Sequence, residues 1–148
     1  VRALETLRDF DLGVWSVHPV PPSLKPFYRG AALGEQMMRV LCAAKIVVNP
    51  HGDFMRWGGN MRLFEAAGCG VMQIADDLPG VPGWFAPGAE IVTYRDADHL
   101  RELVTHYLAH DAEREAIAAA GQARAYADHA YERRTARLLA LMEEAGHT

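Results

Sequence analysis

Residues 45–77 read KIVVNPHGDFMRWGGNMRLFEAAGCGVMQIADD. Ile46-Val47-Val48 is a β-branched run, and Pro50 stops it, because proline offers no N–H to a ladder and holds Asn49 extended. The run predicts a parallel strand over 45–50, central in its sheet. Gly52 and then Gly58-Gly59 interrupt regular structure. Asn60 stands where a side-chain oxygen caps a helix over 61–67, and Gly68 and Gly70 end that helix. Val71-Met72-Gln73-Ile74-Ala75 predicts a second strand, closed by Asp76-Asp77. Strand, loop, helix and strand in that order form a right-handed crossover unit, which is α/β architecture.

Upstream, Leu4 and Leu7 space a short amphipathic helix within residues 1–10, and the apolar run 12–17 predicts a buried strand ending at His18-Pro19. Prolines and Gly30 make 19–33 a loop. Met37, Met38, Leu41 and Ala44 recur at helical spacing, giving a helix over 34–44 with Cys42 in its core. Downstream, the turn-rich LPGVPGWFAPG leads to a strand over 90–94. Three helices follow. Asp96 or Asp98 caps the one carrying Leu100, Leu103, Val104, Tyr107 and Leu108; Asp111 caps a second, to about residue 128, that Gly121 bends or divides; a third carries Leu138, Leu141 and Met142.

The chain has 148 residues, 50% hydrophobic and 23% charged, which is one domain with a core sufficient without disulfide or structural metal. Cys42 and Cys69 form no CxxC pair, so a reducing cytoplasm is the expected setting and no thiolate metal site is implied. A net charge of −4 with no dense Lys/Arg run speaks against nucleic acid as a partner. No apolar run approaches the about 18 residues of a membrane span.

In open α/β sheets ligands gather beyond the carboxyl ends of the strands, where this chain places His18, residues 49–53 and Asp76-Asp77. The richest segment is WGGNMRLFEAAGCG. Gly58 and Gly59 permit close backbone approach, the helix start after Asn60 exposes N–H groups, and Arg62 adds a cationic fork, a combination suited to a diphosphate. Glu65 is placed to accept hydrogen bonds from a vicinal diol such as ribose. The same residues also read as a turn, a helix cap and an ordinary i,i+3 ion pair, and neither GxGxxG nor a P-loop is present to choose a ligand. His51, after a strand, reads as a phosphate contact or base, or as a structural histidine. Glu102, His106 and His110 share a helical face but read as surface, without an HExxH pattern. Trp57, Trp84 and Phe85 either wall a pocket or pin loops to the core, and Cys69 reads as a small residue between glycines.

Taken as an ordered set, AAKIVVNPHG, GGNMRLFEAAGCGVMQIADD and PGAEIVTYRDADHLRELVTHYLAHDAEREAIAAAGQARAYADHAYERR resemble bacterial group 1 type glycosyltransferases related to spore-maturation protein CgeB, over about residues 30–137. That resemblance implies a two-lobed GT-B enzyme with this chain as its C-terminal lobe: a three-layer, Rossmann-like parallel sheet with a helical C-terminal section, binding the nucleotide-sugar donor. Glu65 resembles the glutamate that holds the donor ribose; Asn60 and Arg62 fall near the diphosphate, and His51 faces the same cleft. Broader group 1 enzymes carry a second glutamate seven residues earlier, where this chain has Gly58, so any sugar-ring contact from that position is absent or supplied elsewhere.

A complete enzyme of that kind is more than twice this length, so the chain reads as a fragment whose N-terminal lobe is missing, inactive alone and open to self-association through uncovered apolar surface. The donor is a substrate; no cofactor or divalent metal is demanded, and no catalytic residue is assigned. The competing reading is a noncatalytic α/β binding or protein-interaction module.

Overall fold

In the computed structural model, which describes residues 2–51 and 55–146, a short helix α1 (Arg2–Glu5) and a loop with one 3-10 turn (Pro22–Phe27) lead into α2 (Gly34–Ala43). Then come β1 (Ile46–Asn49), α3 (Met61–Gly68), β2 (Met72–Asp76), β3 (Val92–Tyr94), α4 (Ala97–Ala109) and α5 (Asp111–Arg124). A π-helical turn (Ala125–His129) joins α5 to α6 (Tyr131–Gly146).

The sheet is parallel, in the order β1-β2-β3, with Ile46 opposite Met72 and Ile74 opposite Val92. β2 is therefore central and β1 an edge, which corrects the expected central position of 45–50. The burial agrees, since the first four residues of β2 are buried whereas only Asn49 is in β1. An apolar β-branched run reports a strand, and its neighbours are decided elsewhere in the chain.

Alternation along β2 divides the core into two layers of side chains. Met72 and Ile74 join Val92, Leu100, Val104 and Ile117 on one face, under α1, α4 and α5. Ala75 joins Leu63, Ala67, Val81, Phe85 and Ile91 on the other, under α3. Gln73 points to that second side, where its Nε2 donates to the Leu63 carbonyl at 2.7 Å. The result is helices on both faces of a parallel sheet, the α/β architecture expected, with helices filling the C-terminal section. Each fully buried Leu, Ile or Phe contributes about 1.5–3 kcal/mol by leaving water.

Several expectations fail for local reasons. Residues 12–17 form no strand: Val14 makes one isolated bridge to Tyr28, and Trp15 and Val17 are exposed. Cys42 is exposed rather than core, because α2 buries only Leu41. The strand expected at 90–94 begins at Val92, since Ile91 bridges Pro87 and the Glu90 carboxylate accepts from the Ala86 N–H. Gly121 does not divide α5; it lets the helix pass close to the Glu90 carbonyl, which would lie 2.5 Å from a Cβ there. Asp96 caps α4 by accepting from the His99 N–H, as expected. Asp111 instead sits inside α5, paired with Arg114.

Arg114 is buried and donates to the Tyr107 carbonyl as well as to Asp111. That hydrogen bond and the guanidinium charge hold the Asp111 carboxyl below its ordinary 3.8. A carboxyl lowered by folding adds stability well above pH 3.8, which is lost as pH falls through the depressed value. Asp111→Asn is therefore expected to flatten the acid limb of a stability-against-pH curve below about pH 5. Parallel acid limbs for the two proteins in urea titrations would contradict the assignment.

No helix among the described residues is long and apolar enough to cross a membrane.

Candidate functional site

The site is built where β1 hands over to α3. Asn49 and Asn60 exchange side-chain amide hydrogen bonds, Nδ2 to Oδ1 in both directions, at 3.0 and 2.9 Å. Asn60 Oδ1 also accepts from the Leu63 N–H at 3.3 Å, so one amide caps α3 and ties its start to the end of β1. The expected cap is present. Its partner Asn49, one of the residues expected at the carboxyl ends of the strands, is only 5% exposed.

Gly58 and Gly59 have φ of 103° and 104°, a backbone region that side chains strain to enter. Packing demands glycine as well. A Cβ at Gly59 would lie 2.4 Å from Trp84 Cη2, and one at Gly58 would lie 3.0 Å from Leu78 Cβ. The Trp57 carbonyl accepts from the Gly80 N–H at 2.7 Å, so the loop before α3 is fastened to the turn before Trp84. Of the three loop aromatics, Phe85 is core, Trp84 is partly buried against it, and Trp57 is exposed.

Arg62 Nη1 meets Glu65 Oε2 at 2.8 Å, the i,i+3 pair that the sequence allowed. The guanidinium also lies against Met37 of α2. Arg62 thereby fixes the Glu65 carboxylate.

His51 lies apart from that pair. Its N–H donates to Asp76 Oδ2 at 2.8 Å, and its ring is 1% exposed with Nδ1 3.6 Å from the same oxygen. Neither ring nitrogen, nor Asp76 Oδ1, has a hydrogen-bond partner among the described residues. Tyr94 stands beside Asp76, and burial, followed by that carboxylate, raises its hydroxyl pKa. His51, Asp76 and Tyr94 thus gather a polar cluster at the carboxyl ends of β1, β2 and β3.

Glu65 forms part of the wall of a pocket of about 490 Å³, shared by Gly59 and Asn60 from the start of α3 and by Tyr126, His129 and Arg134 across from them. This volume falls within the range of small-molecule sites. The far wall is held by the π-turn. His129 Nε2 donates to the Trp84 carbonyl at 2.9 Å, and its ring lies 5.0 Å from Phe64 and 5.2 Å from Phe85. Arg134 places its guanidinium 4.3 Å from the centre of the Phe64 ring. The sequence motif HAYERR contains His129 and Arg134, but nothing local in it assigned them to the site.

The remaining candidates lie outside chemistry. Burial, and after it the neighbouring Cys42 thiol, push Cys69 up to about 11, which keeps it a neutral thiol at ordinary pH. His106 Nε2 contacts Glu113 at 2.7 Å and its ring stacks on His110 at 4.1 Å, on the surface. Among the described residues no three His, Cys, Asp or Glu side chains gather to hold a metal ion.

No curated protein matches this chain. Among solved structures, sucrose-phosphate synthase from Thermosynechococcus elongatus superimposes with a TM-score of 0.70 at 19% identity, over 84% of this chain and 31% of that one. That likeness is one of fold, and the fold is that of a GT-B glycosyltransferase. The chain spans about a third of the length of the synthase it matches. The family model described as Glycosyl transferase-like matches residues 1–140, and the chain belongs to that family.

Proposed function

We propose that this chain is the donor-binding lobe of a glycosyltransferase that transfers a sugar from a nucleoside-diphosphate sugar to an acceptor hydroxyl, of the group 1 type related to CgeB proteins. The observation that carries the reading is Glu65: a carboxylate on the wall of a pocket, about one turn from the start of the helix α3, and held in place by Arg62. A carboxylate accepts two hydroxyl hydrogens at once, which suits the vicinal diol of ribose. The N–H groups at the start of α3 and the glycine loop before it present positive dipole to a phosphate. In the transfer, the acceptor oxygen bonds to the anomeric carbon as the bond from that carbon to the diphosphate oxygen breaks. The diphosphate leaves with the bonding electrons, and the acceptor proton passes to a base on the acceptor side. A second lobe supplies that side, so this chain alone carries no transfer.

The reading keeps Gly59 and Asn60 beside Glu65 on the pocket wall, whereas the His51 ring is buried against Asp76 and off that wall. The reading places the protein in a reducing cytoplasm, where two unpaired thiols are stable. Exposed apolar side chains such as Leu33 and Met38 favour contact with the second lobe or with another copy.

Calorimetric titration of the full chain with UDP, GDP and ADP, each alongside its 2′-deoxy analogue, tests the reading. One ribonucleotide is expected to bind at least about tenfold more tightly than its deoxy analogue, and Glu65→Gln is expected to erase that preference while leaving the thermal transition in place. A folded chain that binds none of them, yet retains a protein partner, would instead be a noncatalytic interaction module.

A further inference from the structure

We infer that Arg134 is the residue whose charge holds the diphosphate of the donor, and that the π-turn at Ala125–His129 exists to present it. The inference rests on the donor-lobe reading and adds to it a residue from the opposite wall of the pocket.

A diphosphate beside Glu65 brings two or more negative charges toward a carboxylate, so a cation has to offset the repulsion. Arg62 is the nearer candidate by sequence, but its guanidinium is engaged by Glu65 and by Met37, and it does not form part of the pocket wall. Arg134 does. Among the described residues no carboxylate forms an ion pair with Arg134, so none of them neutralises its charge.

Two neighbours fix the guanidinium without consuming that charge. Its carbon stands 4.3 Å from the centre of the Phe64 ring, a cation–π contact. Its Nη2 donates to His129 Nδ1 at 3.3 Å. The Trp84 carbonyl can only accept, so His129 Nε2 carries the ring proton and Nδ1 is the acceptor left for Arg134. His129 reaches both partners because it closes the π-turn, one wide turn after Ala125 is buried in the core. Such a turn inserted between helices is a common device at functional sites. The arrangement leaves a fork of N–H donors on a rigid aromatic base, which is how guanidinium groups recognise phosphate oxygens.

The pocket also has flat surfaces for a base. Tyr126 and Tyr131 both contribute to its wall and are 64% and 81% exposed. Carboxylate, cation and aromatic rings around one pocket match the three parts of a nucleoside diphosphate.

The test is the ratio of affinities for a nucleoside diphosphate and its parent nucleoside, measured by calorimetry on the full chain, using whichever of UDP, GDP or ADP binds together with uridine, guanosine or adenosine. The unaltered chain is expected to favour the diphosphate strongly. Arg134→Ala should weaken diphosphate binding at least about tenfold with nucleoside binding unchanged, collapsing the ratio, and Arg134→Lys should restore part of it. Arg62→Ala should leave the ratio intact and weaken both ligands together through Glu65. An unchanged ratio in folded Arg134→Ala overturns the assignment of Arg134 while leaving the donor-lobe reading standing. Absence of binding by diphosphate and nucleoside alike, in a folded unaltered chain, overturns both.

Discussion

Phe85→Ala is expected to lower the unfolding free energy by about 3–5 kcal/mol, a large part of the margin of a domain this size. Phe85 is 0% exposed and sits between Leu63, Val81 and Ile91, in the side-chain layer beneath α3. Removing the ring forfeits its transfer free energy and leaves a cavity bounded by parts that collapse poorly. Its neighbours Phe64 and His129, with ring centres 5.8 and 5.2 Å away, are each held by further contacts. Chemical denaturation measures the loss, and a change below about 1 kcal/mol would mean that the layer repacks. The loss also bears on ligand binding, because the same ring supports both walls of the pocket. Phe85→Leu, which keeps most of the volume, is expected to cost less than half as much.

Gly59→Ala carries the second large effect, about 3 kcal/mol, composed of backbone strain at φ of 104° and overpacking against Trp84. Relief would require the Trp84 ring to move, but that ring packs edge-on against Phe64, with ring centres 6.1 Å apart. The substitution should therefore loosen the far wall of the pocket as well as the loop. Gly83→Ala provides the comparison, since a Cβ there meets nothing within 4 Å and φ is not in the positive region. It is expected to stay within about 0.5 kcal/mol of the unaltered chain. Equal losses for the two glycines would remove the argument from geometry.

Where the sequence carries local punctuation, the structure follows it. Pro50 ends β1, Asn60 caps α3, Gly70 with φ of 69° closes the turn after it, and Asp96 starts α4. Each signal acts within a few residues, so a single chain displays it. Lateral order in the sheet leaves no such mark: Ile46 and Ile74 have the same side chain, yet one is on an edge strand and the other at the centre. The apolar run around Trp15 reads as a buried strand on composition alone, whereas the structure pairs it with no strand of the sheet, only with the loop at 27–30. At the candidate site the same division holds. Asn60, Arg62 and Glu65 lie within one helical start and were legible together. His129 and Arg134 share the pocket of Glu65 through the packing of the π-turn on Trp84 and Phe64, contacts between distant parts of the chain.

The parallel register has a consequence for how this chain acquires its structure. Among the described residues no strand pairs with a neighbour across a tight turn, since Ile46 waits for Met72 and Ile74 for Val92. Each pairing closes a long loop before any ladder hydrogen bond repays the lost freedom. The α4 and α5 helices, adjacent in sequence and in contact, need only a short loop closure and so meet at little entropic cost. The glycine loop and α3 lie inside the first of those closures, so the residues that shape the candidate pocket also set how soon the sheet can form.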